Sequence, residues 1–240
     1  MEKIIGILGG MGPGATVDAF SKLVSHTPAK KDQEHIPVII SSLPGIPDRT
    51  ECIINDGPSP LPGMLNSLRI LEEAGASCIV MPCNTAHFWY EELKASTNAT
   101  FLSIIDAASR KVLSDDSDSV AILATTATIR AGLYQKKLSG EGIKCIVPDE
   151  ISQRKIMQSI MSYKAGDFIL AFDLMAPYVR KLEDMGVSKF IMGCTEIPLI
   201  LKELATKEEN KFIDATDALI NEAVKWFYEE WAPPAQKYIY

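Results

Sequence analysis

The chain has 240 residues, 47% apolar and 23% charged, which suits one large soluble domain or two small ones with cores of their own. A formal charge of −7 argues against nucleic acid or an anionic membrane surface as partner, and no apolar run approaches the ~18 residues of a membrane span. Five widely spaced cysteines and three histidines provide neither a C-x-x-C zinc pattern nor a disulfide framework, so free thiols are expected and no metal.

In chain order, residues 3–8 predict a first strand. The segment turns into glycines with no A-x-A-like cleavage site, so it is not read as a signal peptide, and the expected compartment is the cytoplasm. Gly9-Gly-Met-Gly-Pro-Gly14 follows, with Met11 inside it. This is not G-x-G-x-x-G, so a dinucleotide site is weakly supported, but such glycines admit close backbone approach and a helix N-terminus can receive a carboxylate. A second strand at 37–41 leads into Pro44-Gly-Ile-Pro-Asp-Arg-Thr50. There Arg49 is either a bidentate carboxylate clamp or a solvated surface side chain. A third strand at 77–81 runs into Met81-Pro-Cys-Asn-Thr-Ala-His87 and a predicted helix at 86–94, and a fourth strand is predicted at 101–105. His87 either holds the neighbouring thiol or caps a helix.

A second set of four begins at 119–123, whose turn Ala124-Thr-Thr-Ala-Thr128 places hydroxyls, Thr125 among them, where the first set has glycines. A strand at 144–147 follows, then Lys164, a surface lysine by composition, and a helix with Phe168, Phe172, Met175, Val179 and Leu182 on one stripe. The strand at 189–192 ends in Met192-Gly-Cys-Thr-Glu-Ile-Pro198, a helix is predicted at 197–204, and the last strand lies at 211–213.

Short β-branched runs alternating with helical periods mean βαβ units and parallel sheets. The two sets are related. Residues 71–83 and 182–194, 111 positions apart, share six of thirteen residues, and Ile7-Leu8 and Ile105-Asp-Ala107 recur at shifts of 115 and 108. An internal duplication follows: two similar doubly wound α/β halves, residues 1–105 plus 214–240 carrying Cys83 and residues 106–213 carrying Cys194, with short hinges near Asp106 and Asp214. Ligands in such sheets bind at the carboxyl ends of strands, where both cysteines are expected, each ahead of a helix whose positive end lowers a thiol's pKa. Cys78 reads as core filler. Asn84-Thr85 and Thr195-Glu196, directly behind the cysteines, are N-caps, ligands of a small anion, or both. A pseudo-two-fold axis would set one thiol on each face of a carbon held in the cleft, an arrangement that inverts a stereocentre.

Together the strings GGMGP, PDRT, MPCNTAH and GCTEIPL, in this order over residues 9–199, resemble the aspartate/glutamate racemase family, most closely its aspartate racemase branch. The resemblance implies two similar α/β domains with the site between them, independence of pyridoxal phosphate and metals, and frequent homodimers. It implies that Cys83 and Cys194 are acid/base thiols and that Met11, Arg49, Asn84, Thr85, Ala86 and Lys164 contact substrate; Thr125 and Thr195 join them by position. The expected activity is interconversion of L- and D-aspartate. The alternatives are a glutamate or broad-specificity amino-acid racemase, a related decarboxylase, cis–trans isomerase or hydantoin racemase, and, in another class, a non-catalytic two-lobed amino-acid-binding protein.

Overall fold

The computed structural model describes residues 3–114, 117–208 and 210–229, so residues 1–2 and 230–240 of the first expected half lie outside the described residues. Each of the eight expected strands forms: β1 (Ile5–Gly9), β2 (Val38–Ser42), β3 (Cys78–Val80), β4 (Thr100–Leu102), β5 (Ser119–Ala124), β6 (Lys144–Ile146), β7 (Phe190–Gly193) and β8 (Phe212–Asp214). They make two parallel four-stranded sheets, ordered β2-β1-β3-β4 and β6-β5-β7-β8. The second order is the first advanced by four strands, as a duplicated unit requires. Strands β1, β3 and β7 are buried throughout, which is why they read as unbroken apolar runs and not as alternation.

Several local expectations are corrected. The strand expected at 101–105 stops at Leu102, because the Ser103 side chain accepts a hydrogen bond from the Asp106 amide and starts the helix Ile104–Leu113. The helix expected at 86–94 is a 3-10 turn, Thr85–Trp89, followed by Tyr90–Ala95, and that at 197–204 is split into Ile197–Ile200 and Lys202–Lys207. The stripe on Phe168–Asp184 buries Met175, Val179 and Leu182, but Phe168 is exposed and Ala171 takes its place on the inward face. The glycine run behaves as expected at Gly10, where φ is +92° and a Cβ would stand 2.4 Å from the Leu43 amide nitrogen.

Each half has its own apolar cluster, one around Leu8, Met64, Leu71 and Ile79, the other around Leu123, Met175, Val179 and Phe190. A third cluster belongs to both and joins Ile5, Ile7 and Val80 to Ile122, Ile191 and Ile213 through Leu219, Ile220 and Ala223. The chain crosses to the second sheet through the helix Ile104–Leu113 and returns through Ala215–Glu229, which packs on that helix, on Pro13–His26 and on strands of both sheets. Asp106 and Asp214, where hinges were expected, thus sit in the first turn of a packed helix and at the end of β8. Lys22 reaches across to Asp214 at 2.7 Å, and His26 to Asp217 at 2.6 Å.

His87 fixes the turn after β3. It is buried, with Nδ1 2.9 Å from the Cys83 carbonyl and Nε2 3.0 Å from the Ile104 amide nitrogen. The amide must donate, so Nε2 is the acceptor and the proton sits on Nδ1, donated to Cys83. His87 therefore ties the Cys83 carbonyl and caps a helix, and makes no bond to the thiol. Burial lowers its pKa from 6.5 to about 4, against the smaller opposing effects of the Cys83 carbonyl and Asp106. The unfolded chain takes up a proton near 6.5 that the folded chain refuses until about 4, so this contribution is complete above pH 6.5 and is lost as pH falls toward 4. The stability difference between wild type and His87→Gln, from urea unfolding, should shrink by roughly 2–3 kcal/mol between pH 7 and 4.5. A difference independent of pH would contradict this account.

Candidate active site

The carboxyl ends of the two sheets converge on one cavity bordered by Met11, Asp48, Arg49, Thr50, Cys83, Asn84, Thr85, Thr125, Lys164, Cys194 and Glu196. Larger hollows elsewhere, such as one of about 420 Å³ beside Tyr90 and Asp106, carry no thiol. Eight of the ten residues singled out from sequence meet at this cavity. Ala86 and Thr195 do not border it: Ala86 is buried in the 3-10 turn, and Thr195 donates to Glu196 at 3.2 Å. At about 20 Å³ the cavity holds roughly one water molecule, so an amino acid enters only if the cleft opens.

Both cysteines lie where a parallel sheet presents its ligands, Cys194 directly after β7 and Cys83 three residues after β3, and both are nearly fully buried. Among the described residues no disulfide joins any of the five cysteines. Cys194 departs from the expectation of a thiol acidified by a helix end. Its Sγ donates to Glu196 Oε2 at 2.9 Å, and burial, with the Glu196 charge, pushes its pKa well above the ordinary thiol range despite Lys164. The helix behind it has only four residues, too short to offset a carboxylate in contact. Cys194 is accordingly held as the protonated thiol.

Glu196 is itself buried and joins Cys194 to Lys164, whose Nζ lies 3.4 Å from Oε1. Burial disfavours charge on Lys164, but Glu196, Cys194 and Cys83 outweigh it and raise its pKa, so it is an ammonium. Lys164 ends the helix Glu150–Lys164, and from there it reaches into the cleft. Arg49 is the other cation. Asp48 caps the helix Arg49–Asn55, which turns Arg49 inward. Its guanidinium donates to the carbonyls of Ile46 (3.2 Å), Pro47 (3.0 Å) and Met11 (3.4 Å), and its Nε is buried without a partner. Among the described residues no carboxylate lies within ion-pair distance of it. A buried cation held only by carbonyls is a strong site for an anion.

Asn84 and Thr85 do not cap the segment behind Cys83; the second half holds both. Asn84 Oδ1 accepts from the Tyr134 hydroxyl, leaving Nδ2 buried and unpaired. Thr85 shares a buried hydroxyl triangle with Thr125 (2.8 Å) and Thr128 (3.1 Å), themselves 2.9 Å apart. Asp48, Thr50, Thr128 and Tyr134 were not singled out as site residues, and Glu196 was raised only, with Thr195, as a cap or a ligand of a small anion. Glu196 was legible from its place two residues after Cys194, whereas nothing in the motif around Tyr134 marks it. Among the described residues, no group of three or more His, Cys, Asp or Glu side chains is placed to hold a metal ion, and no helix is long and apolar enough to cross a membrane.

Comparison with known proteins agrees with this architecture. A family model described as Asp/Glu/Hydantoin racemase matches residues 8–223. The fold is similar to that of the Picrophilus torridus aspartate racemase, with a TM-score of 0.85 and 34% identity over 93% of each chain. An aspartate racemase homologue from Pyrococcus horikoshii OT3 shares the fold at TM-score 0.74 and 24% identity, covering 95% of this chain and 99% of the other. In sequence, the broad specificity amino-acid racemase RacX of Bacillus subtilis (strain 168) is 26% identical over 228 residues, 93% of this chain and 98% of the relative. The chain belongs to the Asp/Glu/Hydantoin racemase family.

Proposed function

We propose that the protein is a cofactor-independent amino-acid racemase that interconverts L- and D-aspartate with two thiols. The observation that carries this reading is one cavity bordered by a cysteine from each half and by a buried guanidinium that has no carboxylate partner among the described residues and whose Nε makes no hydrogen bond. Cys194 is the thiol that delivers a proton, and Cys83 takes the α-hydrogen from the opposite face; in the reverse direction the roles exchange. The α-hydrogen is a very weak acid, so the developing carbanion needs fixed electrostatic support in a dry site. Arg49 on the α-carboxylate, or on the side-chain carboxylate with Lys164, supplies positive charge, and the unpaired Asn84 amide supplies a donor. A broader amino-acid range is the second reading. Lys164 already has Glu196 as partner, which leaves Arg49 as the unpaired cation of the cavity, and the similarity to RacX spans nearly the whole chain.

The reading is tested by incubating both enantiomers of aspartate, glutamate and alanine with the protein in D₂O. Aspartate should exchange its α-hydrogen and racemise, and Cys83→Ala and Cys194→Ala should each abolish racemisation. Near-native turnover in either variant would exclude the two-thiol mechanism, and ligand binding without exchange in the wild type would favour a binding protein. Arg49→Lys should lose about 1.5–3 kcal/mol of transition-state stabilisation, because the ammonium keeps the charge without the fork. The loss should be larger for aspartate than for alanine, whereas equal losses would remove Arg49 from the side-chain carboxylate. Glu196→Gln tests the state of Cys194. Without the adjacent negative charge its thiolate is less disfavoured, so the alkaline limb of the pH–rate profile should move to lower pH. An unmoved or rising limb would show that Glu196 does not set this proton.

A further inference from the structure

Tyr134 is wholly buried in the core shared by the two halves and does not border the cavity, yet it touches the turns of both cysteines. Its hydroxyl donates to Oδ1 of Asn84, the residue directly after Cys83. Its ring lies on Gly193, the residue directly before Cys194, so closely that a Cβ on Gly193 would stand 2.9 Å from Cε2. We propose that Tyr134 is a positioning residue that couples the Cys83 turn to the Cys194 turn and fixes the Asn84 amide with its NH₂ as the free donor. Three features support this role. The phenol donates its single proton to Oδ1, so the oxygen end of the amide is engaged and the NH₂ end is left over. Burial, with Asp214 and Cys194, keeps the phenol protonated and so a donor at any pH at which the fold persists. Finally, the Asn84 Nδ2 left over is buried, lacks a partner and belongs to a side chain on the cavity wall, where a carboxylate oxygen of an amino acid is its matching acceptor. The assignment of that acceptor rests on the racemase reading; the coupling of the two turns does not.

The test follows the thiols directly. The rates at which iodoacetamide labels Cys83 and Cys194 are measured separately, by mass spectrometry of the intact chain and its peptides, in wild type, Tyr134→Phe, Gly193→Ala, Asn84→Ala and the two double variants with Asn84→Ala. Tyr134→Phe keeps the ring and loses only the hydroxyl, so it should speed labelling of Cys83 about tenfold, the scale of one lost buried hydrogen bond, and leave Cys194 within about twofold. Gly193→Ala pushes the ring away and should alter both cysteines, although it lies on the Cys194 turn. In the Asn84→Ala background neither change should further affect Cys83, because the route through the amide is gone. Unchanged Cys83 labelling in folded Tyr134→Phe and Gly193→Ala, or effects that simply add to that of Asn84→Ala, would overturn the proposal. Exchange of α-hydrogen is followed in parallel, and kcat should fall with Tyr134→Phe by a similar factor in protein that remains folded. A wild type that exchanges no amino acid would sink the racemase reading, while the labelling rates would still decide the role of Tyr134.

Discussion

The constraint on which the rest depends is the shared core between two parallel sheets. A parallel sheet points all its strand ends one way, so a single sheet offers one reactive edge to a ligand. Two such edges confront each other only if the sheets are packed rigidly, and here Leu219, Ile220 and Ala223 share one buried cluster with Ile5, Ile7 and Ile191. At the cavity itself the join is polar. The Thr85–Thr125–Thr128 hydroxyls and the Asn84–Tyr134 pair are buried hydrogen bonds, each with one partner from each half. Apolar packing supplies the bulk of the attraction, and the polar seam sets register, because a buried hydroxyl that slips from its partner loses about 1–3 kcal/mol. An opening wide enough for substrate must therefore either break this seam or occur beside it, at the elements carrying Arg49 and Lys164.

The two halves share one strand order, but what they contribute to the cavity differs. The first half supplies the glycine turn, Arg49 and Cys83; the second supplies hydroxyls, the Lys164–Glu196 pair and Cys194. Two cations, Arg49 and Lys164, and two carboxylates, Asp48 and Glu196, border the cavity; Asp48 is engaged as a helix cap, which leaves Glu196 as the carboxylate of the cleft. The carboxylate stands against only one of the thiols. A symmetric pair of cysteines would share a proton evenly, whereas Glu196 places it on Cys194.

Much of this was legible in the sequence because parallel strands buried on both faces are written as apolar runs, and the duplicated string 71–83/182–194 fixed where the two thiols stand. Local competition was less visible. Ile104 and Ile105 look like strand, but the Ser103 cap and the His87 acceptor draw them into a helix. Phe168 fits the apolar period of its helix yet lies at the exposed tip of a helical hairpin. The pKa of Cys194 was misjudged because a helix end was weighed and the carboxylate two residues on was not. Tyr134 was illegible for a different reason: its function arises from contacts with residues 50 and 59 positions away, and nothing in its own neighbourhood records them.

The helix Ala215–Glu229 has a consequence for how the protein is made. It is the last described element of the chain, yet it packs on Pro13–His26, near the start, and covers a core face that includes Ile5, Ile7, Ala19 and Leu23. On the ribosome, the amino-terminal sheet emerges and forms its strands long before this covering segment exists, so the face stays wet while the residues between Leu102 and Ala215 are translated. The contact that closes it has a very large sequence separation, which places it among the slow steps of folding. The nascent chain therefore passes through a stage with a formed, one-sided first half, sticky on its inner face, and that stage is where chaperones or aggregation have their opportunity.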